Sequence, residues 1–214
     1  MSRRVILWRH GQTAWNLERR VQGQTDTELD EVGRGQARAA AARLASLQPV
    51  RIISSDLRRA RDTAAELARV TGVEVELDAR LREMDFGERE GLNWRESWER
   101  FPDLMRGMLD GQDPRFPGAE THAEAGARLA ASLTDALEML PDGQTLVIVA
   151  HGAVLRVGTV SFLGFPESTW RSFSGLSNCS WIALEQFDPE RDSRWRLTEW
   201  NAGTLPEPVM SDDV

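Results

Sequence analysis

Apolar residues in this chain fall into short runs separated by longer stripes at helical spacing. Val5-Ile6-Leu7-Trp8, closed by arginines on both sides, is a run of the kind that makes a strand buried on both faces. Ala37, Ala40, Ala41, Leu44 and Ala45 recur at i, i+3, i+4, i+7 and i+8, which predicts an amphipathic helix over residues 31–47. Ile52-Ile53 begins a second strand that ends at Ser54-Ser55. Leu57, Ala60, Ala64, Leu67 and Ala68 form the next helical stripe, which Gly72 closes. Val73 to Leu77 alternates and reads as a third strand. Residues 85–120 are less regular: Trp94, Trp98, Phe101, Leu104, Met105 and Met108 suggest helical pieces broken by Pro102, Pro114 and Pro117. Thr121 with Glu124 three residues on is a capping box, opening a helix that turns Leu129, Leu133, Ala136, Leu137 and Leu140 inward. Thr145–Ala150 is an apolar strand, and Ala153–Leu163 an apolar helix followed by Gly164. Two last strands, 179–187 and 194–200, flank a turn at Asp188–Asp192, and the chain beyond Asn201 is expected to be loose.

Strands alternating with helices predict an α/β fold: three layers, α/β/α, around a mostly parallel central sheet. The segment at about 85–120 is then a short helical cap inserted over one end of that sheet. No repeat or low-complexity linker divides the chain, so a single domain is expected over residues 1–205, with a loose tail at 206–214. At 214 residues, 41% hydrophobic and 28% charged, the composition is that of a soluble globular protein. No apolar run approaches the ~20 residues of a membrane span, and the opening residues lack a signal-peptide core. The one cysteine, Cys179, excludes an intramolecular disulfide framework and a multi-cysteine zinc cluster. A reduced, cytoplasmic protein is the expectation. The formal net charge of −8 speaks against a nucleic-acid-binding face. All 26 basic residues are arginine, which removes a Schiff-base lysine or a phosphate-loop lysine from the list of mechanisms.

Ligands of open parallel sheets bind at the carboxyl ends of the strands. Arg9-His10-Gly11 follows the first strand, Asp56-Leu57-Arg58-Arg59 the second, and His151-Gly152 the strand at 145–150. Two histidines and at least two arginines therefore meet at one sheet edge, beside helix N-termini whose amides lack intrahelical acceptors. This is an anion site, and guanidinium groups make phosphate the favoured anion. A histidine among arginines has its pKa lowered by like charge and keeps a nucleophilic nitrogen near neutral pH. Neither His10 nor His151 has a set of nearby carboxylates, so no metal and no cofactor is expected. Of Arg58 and Arg59, one is expected to face solvent while its neighbour reaches the site. His122, away from any strand end, reads as a surface or capping histidine.

Leu7-Trp8-Arg9-His10-Gly11-Gln12-Thr13-Ala14-Trp15-Asn16 resembles the Arg-His-Gly signature of the histidine phosphatase superfamily, in its phosphoglycerate-mutase-like branch. Ser54–Ala64, Leu81-Arg82-Glu83 and Val149-Ala150-His151-Gly152 resemble the further motifs of that family, in the same order. The resemblance implies phosphoryl transfer through a phosphohistidine on His10. Arg9, Arg59, His151 and Asn16 would hold the phosphate oxygens. Glu83 would protonate the leaving oxygen and then activate water. Gly152 belongs to the segment of the second histidine, and Gln22 and Gly23 match a loop over the substrate. The alternative for Glu83 is a solvated carboxylate like its neighbours Asp85, Glu88 and Glu90. Several stretches outside the catalytic motifs, among them Gly23–Leu29 and Asn178-Cys179-Ser180-Trp181, are similar to the group of glucosyl-3-phosphoglycerate phosphatases. The cap has no such match. Its shortness and lack of lysine favour hydrolysis over a phosphoglycerate mutase. A broad-specificity acid phosphatase, a protein phosphatase and a non-catalytic phosphate-binding domain remain the other readings. The expected partners are a small phosphorylated substrate and, from the alternation of Trp181, Ala183, Trp195 and Leu197, a second copy of the chain as a homodimer, with neither nucleic acid nor membrane.

Overall fold

The computed structural model describes residues 2–188 and 192–203. Along the chain come β1 (Arg4–Arg9), α1 (Ala14–Leu17), α2 (Glu31–Ala45), β2 (Pro49–Ser54), α3 (Arg58–Thr71), β3 (Val75–Leu77), α4 (Trp94–Arg100), α5 (Pro102–Leu109), α6 (His122–Glu138), β4 (Thr145–Ala150), α7 (Gly152–Phe162), β5 (Trp181–Asp188) and β6 (Asp192–Ala202). The strands form one sheet in the order β3-β2-β4-β1-β5-β6. The pairs β3–β2, β2–β4 and β4–β1 are parallel, while β5 and β6 run antiparallel.

The uninterrupted apolar runs are explained by burial on both faces. Val5, Leu7, Leu146 and Ile148 point into a core shared with α6 and α7. Ile6, Trp8, Val147 and Val149 point the opposite way, into a core shared with α2 and α3. Successive side chains on a strand alternate faces, so a strand between two helical layers must be apolar at every position. The three layers expected from the sequence are these. α3 ends at Gly72 with φ +74, as the stripe predicts. The third strand is shorter than its alternation suggests, covering Val75–Leu77, and is largely exposed at the sheet edge.

Residues 85–120 form the expected helical cap. Pro102 starts α5 at its first turn, where a missing N–H costs nothing. Met105, Phe116 and Ala119 make a small separate core, against which Trp94, Trp98 and Phe101 pack. The cap is stitched to the chain after α1 by Val21 N–H to Leu92 C=O at 2.9 Å and Gly91 N–H to Val21 C=O at 2.8 Å.

Other expectations need correction. Trp181 and Ala183 belong to the core under α2 and α3, and Trp195 and Leu197 pack against the core under α6 and α7. Trp181 and Ala183 are buried, whereas Trp195 and Leu197 stay partly exposed. His122 is neither a surface residue nor a cap: it is 9% exposed, Nδ1 lies 2.6 Å from Asp113, and the ring stacks on Trp170 at 4.4 Å. Thr121 is the N-cap of α6, as its capping box predicts. The second C-terminal strand extends to Ala202, beyond the expected break at Asn201. Residues 189–191 of the predicted turn and the tail from 204 lie outside the described residues. Among the described residues no helix is long and apolar enough to cross a membrane.

Candidate active site

Backbone hydrogen bonds carry the parallel ladder past the strand ends. His10 N–H donates to Ala150 C=O at 3.0 Å, and Ser55 N–H donates to Val149 C=O at 2.9 Å. This continuation sets His10, Ser55 and His151 side by side, with the two imidazole centroids 5.1 Å apart.

His10 is buried, and its Nδ1 lies 2.6 Å from the Gly11 carbonyl. A carbonyl only accepts, so Nδ1 carries the hydrogen and Nε2 of the neutral ring keeps its lone pair. Burial, then Arg59, then Arg9 hold the imidazole well below its ordinary pKa of 6.5; only the Gly11 hydrogen bond opposes them. Arg59 is fully buried and donates from Nε to His151 Nδ1 at 3.1 Å, from Nη1 to Thr25 C=O at 2.8 Å, and from Nη2 to Gly23 C=O at 2.7 Å. His151 therefore accepts on Nδ1 and carries its hydrogen on Nε2, 2.9 Å from Ser55 Oγ. Burial and the charges of Arg59 and Arg9 also keep it well below 6.5. Arg58 is exposed, close to Asp26 and Glu28. The pair thus divides as the sequence suggests, with Arg59 inside.

Arg9 is buried and donates to Leu176 C=O, and its guanidinium lies beside Gly152, where a Cβ would stand 3.4 Å away, at ordinary contact distance. Gly11 packs between helices. Its amide donates to Thr63 Oγ1 at 3.1 Å, and a Cβ there would meet the Gly33 carbonyl of α2 at 2.5 Å. Its smallness serves helix packing.

Glu83 is buried and is not a solvated carboxylate. Oε1 accepts from Met84 N–H and Val154 N–H, both at 2.8 Å, and Oε2 from Ala153 N–H at 3.1 Å. The N-cap residue of α7 is His151, whose side chain makes no cap bond. Glu83 fills that position from a distant segment, which brings a carboxyl to the second histidine. Its neighbours differ: Glu88 is exposed, and Asp85 accepts from Gly87 N–H at 2.8 Å.

Asn16 Oδ1 accepts from Thr13 N–H at 3.0 Å and lies 3.1 Å from Thr13 Oγ1. Gln22 Oε1 lies 3.0 Å from Thr13 Oγ1 and 2.7 Å from Thr27 Oγ1. Gly23 has φ +53, and a Cβ would overlap Glu90 Oε1 at 1.9 Å. That carboxylate accepts from Gln24 N–H at 2.8 Å, Thr25 N–H at 3.0 Å and Thr25 Oγ1 at 2.6 Å. All nine residues singled out in the sequence thus belong to one connected region. Sequence reasoning missed Thr13, Ser55, Thr63, Glu90 and Asn178. Thr13 carried the three-residue capping spacing to Asn16, while Ser55, Thr63 and Asn178 lie in stretches of the resemblance that do not by themselves tell what each residue holds. Among the described residues no group of three or more His, Cys, Asp or Glu could hold a metal ion.

A parallel-sheet edge that gathers two neutral histidines and two buried arginines defines a phosphoryl-transfer protein, and residues 5–203 match the histidine phosphatase superfamily, branch 1. The chain belongs to that family. It is 37% identical over 224 residues to glucosyl-3-phosphoglycerate phosphatase of Mycobacterium tuberculosis, covering 100% of this chain and 99% of that protein. It is 38% identical over 197 residues to the probable phosphoglycerate mutase GpmB of Salmonella paratyphi C, covering 92% and 89%. A solved structure of a mycobacterial glucosyl-3-phosphoglycerate phosphatase complexed with VO3 superposes with a TM-score of 0.85 at 36% identity, over 94% of this chain and 100% of that one.

Proposed function

We propose that the protein hydrolyses small phosphomonoesters through a phosphohistidine on His10, with glucosyl-3-phosphoglycerate as the leading substrate. The observation that carries this reading is the His10 tautomer: Nδ1–H held by the Gly11 carbonyl, Nε2 left as the nucleophile. In the first step Nε2 bonds to phosphorus, the P–O ester bond breaks, and Glu83 gives its proton to the departing oxygen. In the second, Glu83 takes a proton from water, the water oxygen bonds to phosphorus, and the P–N bond breaks to release inorganic phosphate. Arg9, Arg59 and Asn16 donate to the phosphate oxygens as charge spreads over them, and His151 joins them by shifting its Nε2–H from Ser55 Oγ. Gly152 lies beside Arg9, and Gln22 and Gly23 belong to the loop over the substrate. No metal or other cofactor enters the scheme.

The substrate assignment rests on the glucosyl-3-phosphoglycerate phosphatase relatives, which match this chain over its whole length. The mutase-like relative makes interconversion the second reading. Release of inorganic phosphate from glucosyl-3-phosphoglycerate, 3-phosphoglycerate and mannosyl analogues, run beside an assay of 2-/3-phosphoglycerate interconversion, decides between them. Efficient interconversion with negligible phosphate release overturns the phosphatase reading. Comparable kcat/KM on every ester demotes the named substrate in favour of broad specificity. The same reading takes the chain as one catalytic domain over 1–205 with a short tail, working in the cytoplasm. It takes the chain as a homodimer paired through the open edge of β6. Sedimentation at the monomer mass of 24.0 kDa would reject the dimer.

A further inference from the structure

We propose that Asn178 is a positioning residue: its side-chain amide locks the main chain of the nucleophile to the amide of Asn16 and keeps the Asn16 N–H2 turned to the phosphate. The inference rests on the phosphatase reading above. Asn178 is buried, and its Nδ2 lies 3.2 Å from the His10 carbonyl and 3.2 Å from Asn16 Oδ1. The two hydrogens of one NH2 group thus bridge two residues of the anion site. Both amide orientations are fixed by backbone groups whose character is beyond choice. Thr13 N–H can only donate, so the Asn16 atom facing it is the oxygen. The His10 carbonyl can only accept, so the Asn178 atom facing it is the nitrogen.

The consequence is chemical. An Asn16 turned the other way would set a carbonyl oxygen against a phosphate oxygen and exchange an attraction for a repulsion. The Asn178 donor makes that reversal costly, because it would then face an NH2 group. The loop carrying Asn178 is shaped for this contact. Cys179 adopts a left-handed backbone with φ +57, uncommon for a residue with a Cβ, and its amide also donates to the His10 carbonyl at 3.1 Å. The indole of Trp8 then donates to Cys179 C=O at 3.2 Å. One carbonyl of the nucleophile therefore receives two donors from a loop at the far end of the chain.

A double-mutant cycle tests this. Asn178→Ala, measured by kcat/KM on p-nitrophenyl phosphate and by calorimetric binding of inorganic phosphate, is expected to lose about fivefold to tenfold on each, in line with one or two lost hydrogen bonds. In an Asn16→Ala background the same change should lose less than about twofold, since the group it positions is gone. Asn178→Asp, equal in shape but unable to donate, should lose more than Asn178→Ala. Thermal unfolding of each variant separates these effects from a general loss of fold, and Asn178→Ser replaces the alanine if that variant does not fold. An equal loss in both backgrounds, or no loss in either, overturns the role assigned to Asn178. A wild-type protein that neither binds phosphate nor releases it from esters overturns instead the reading on which it rests.

Discussion

A histidine attacks phosphorus only while one ring nitrogen keeps its lone pair, and at His10 burial and two arginines guard that state. Because the folded pKa is depressed, protonation of His10 requires a pH well below 6.5. The acid limb of kcat/KM should therefore lie below 6.5 and activity should persist into mildly acidic solution. A ring-proton NMR titration of His10 with a midpoint at or above 6.5 would contradict this. His10→Ala should abolish hydrolysis together with the acid-labile, base-stable phosphoryl label seen on the wild type during turnover. Glu83→Gln should slow alkyl phosphates about 10²–10⁴-fold, the usual worth of general acid catalysis, and p-nitrophenyl phosphate far less, since its leaving oxygen needs little protonation. Equal losses on both esters would remove Glu83 from the acid role. Residue-scale chemistry was legible where a motif surrounds it: His10, Arg59 and His151 follow strand ends in the sequence itself. The roles of Glu90 and Asn178 were not: Glu90 reads as one more solvated carboxylate, and the stretch around Asn178 carries a resemblance without saying what the residue holds. Their importance exists only once Gln24 and Thr25, or His10 and Asn16, have been brought to them by the fold.

Helix N-termini expose amides without intrahelical acceptors, and two of those converging on this site are capped by carboxylates from other segments. Leu57 and His151, the N-cap residues of α3 and α7, make no side-chain cap bond. Asp26 accepts from Arg58 N–H at 2.7 Å, and Glu83 serves α7. α2, by contrast, is capped by its own Asp30, which accepts from Gly33 N–H at 2.7 Å. The borrowed caps dock the loop of Gln22 and Gly23 and the segment of Glu83 onto the sheet edge. Asp26→Ala should therefore cost about 1 kcal/mol in chemical denaturation and also raise KM, because the loop it anchors supplies the Thr25 and Gly23 carbonyls that hold Arg59. A stability loss with KM unchanged would detach the cap from the site. Periodicity made the elements readable, down to the Thr121 capping box and the Gly72 terminus. It gave no access to caps in trans, since nothing in the spacing of Asp26 or Glu83 announces which helix they serve.

Across the whole molecule, local and global charge oppose one another. Arginines line the anion site, yet the chain carries a formal net charge of −8. A buried guanidinium is screened little by salt, whereas the long-range field of exposed carboxylates is screened over a Debye length of about 30 Å at 0.01 M and about 8 Å at 0.15 M. On the proposed reading, approach of a substrate is governed by repulsion and its final binding by the buried guanidinium groups of Arg9 and Arg59. Repulsion grows with substrate charge, so a bisphosphorylated ester should suffer more than a monophosphorylated one at low ionic strength, and salt should relieve it more. The ratio of kcat/KM for a monophosphate ester to that for its bisphosphate is expected to fall as ionic strength rises from about 0.01 M to about 0.15 M, the range over which the field collapses. A ratio that climbs with salt would mean that the arginines, and not the acidic surface, set the field a substrate meets at a distance. The same balance bears on which reaction the site supports. A mutase has to retain a bisphosphorylated intermediate beside its phosphohistidine, and an acidic molecule with a short cap holding no lysine offers such a polyanion little attraction once it leaves the arginines. A monoester whose remaining bulk is a neutral sugar meets the least repulsion, and water is then the acceptor that reaches the phosphohistidine first.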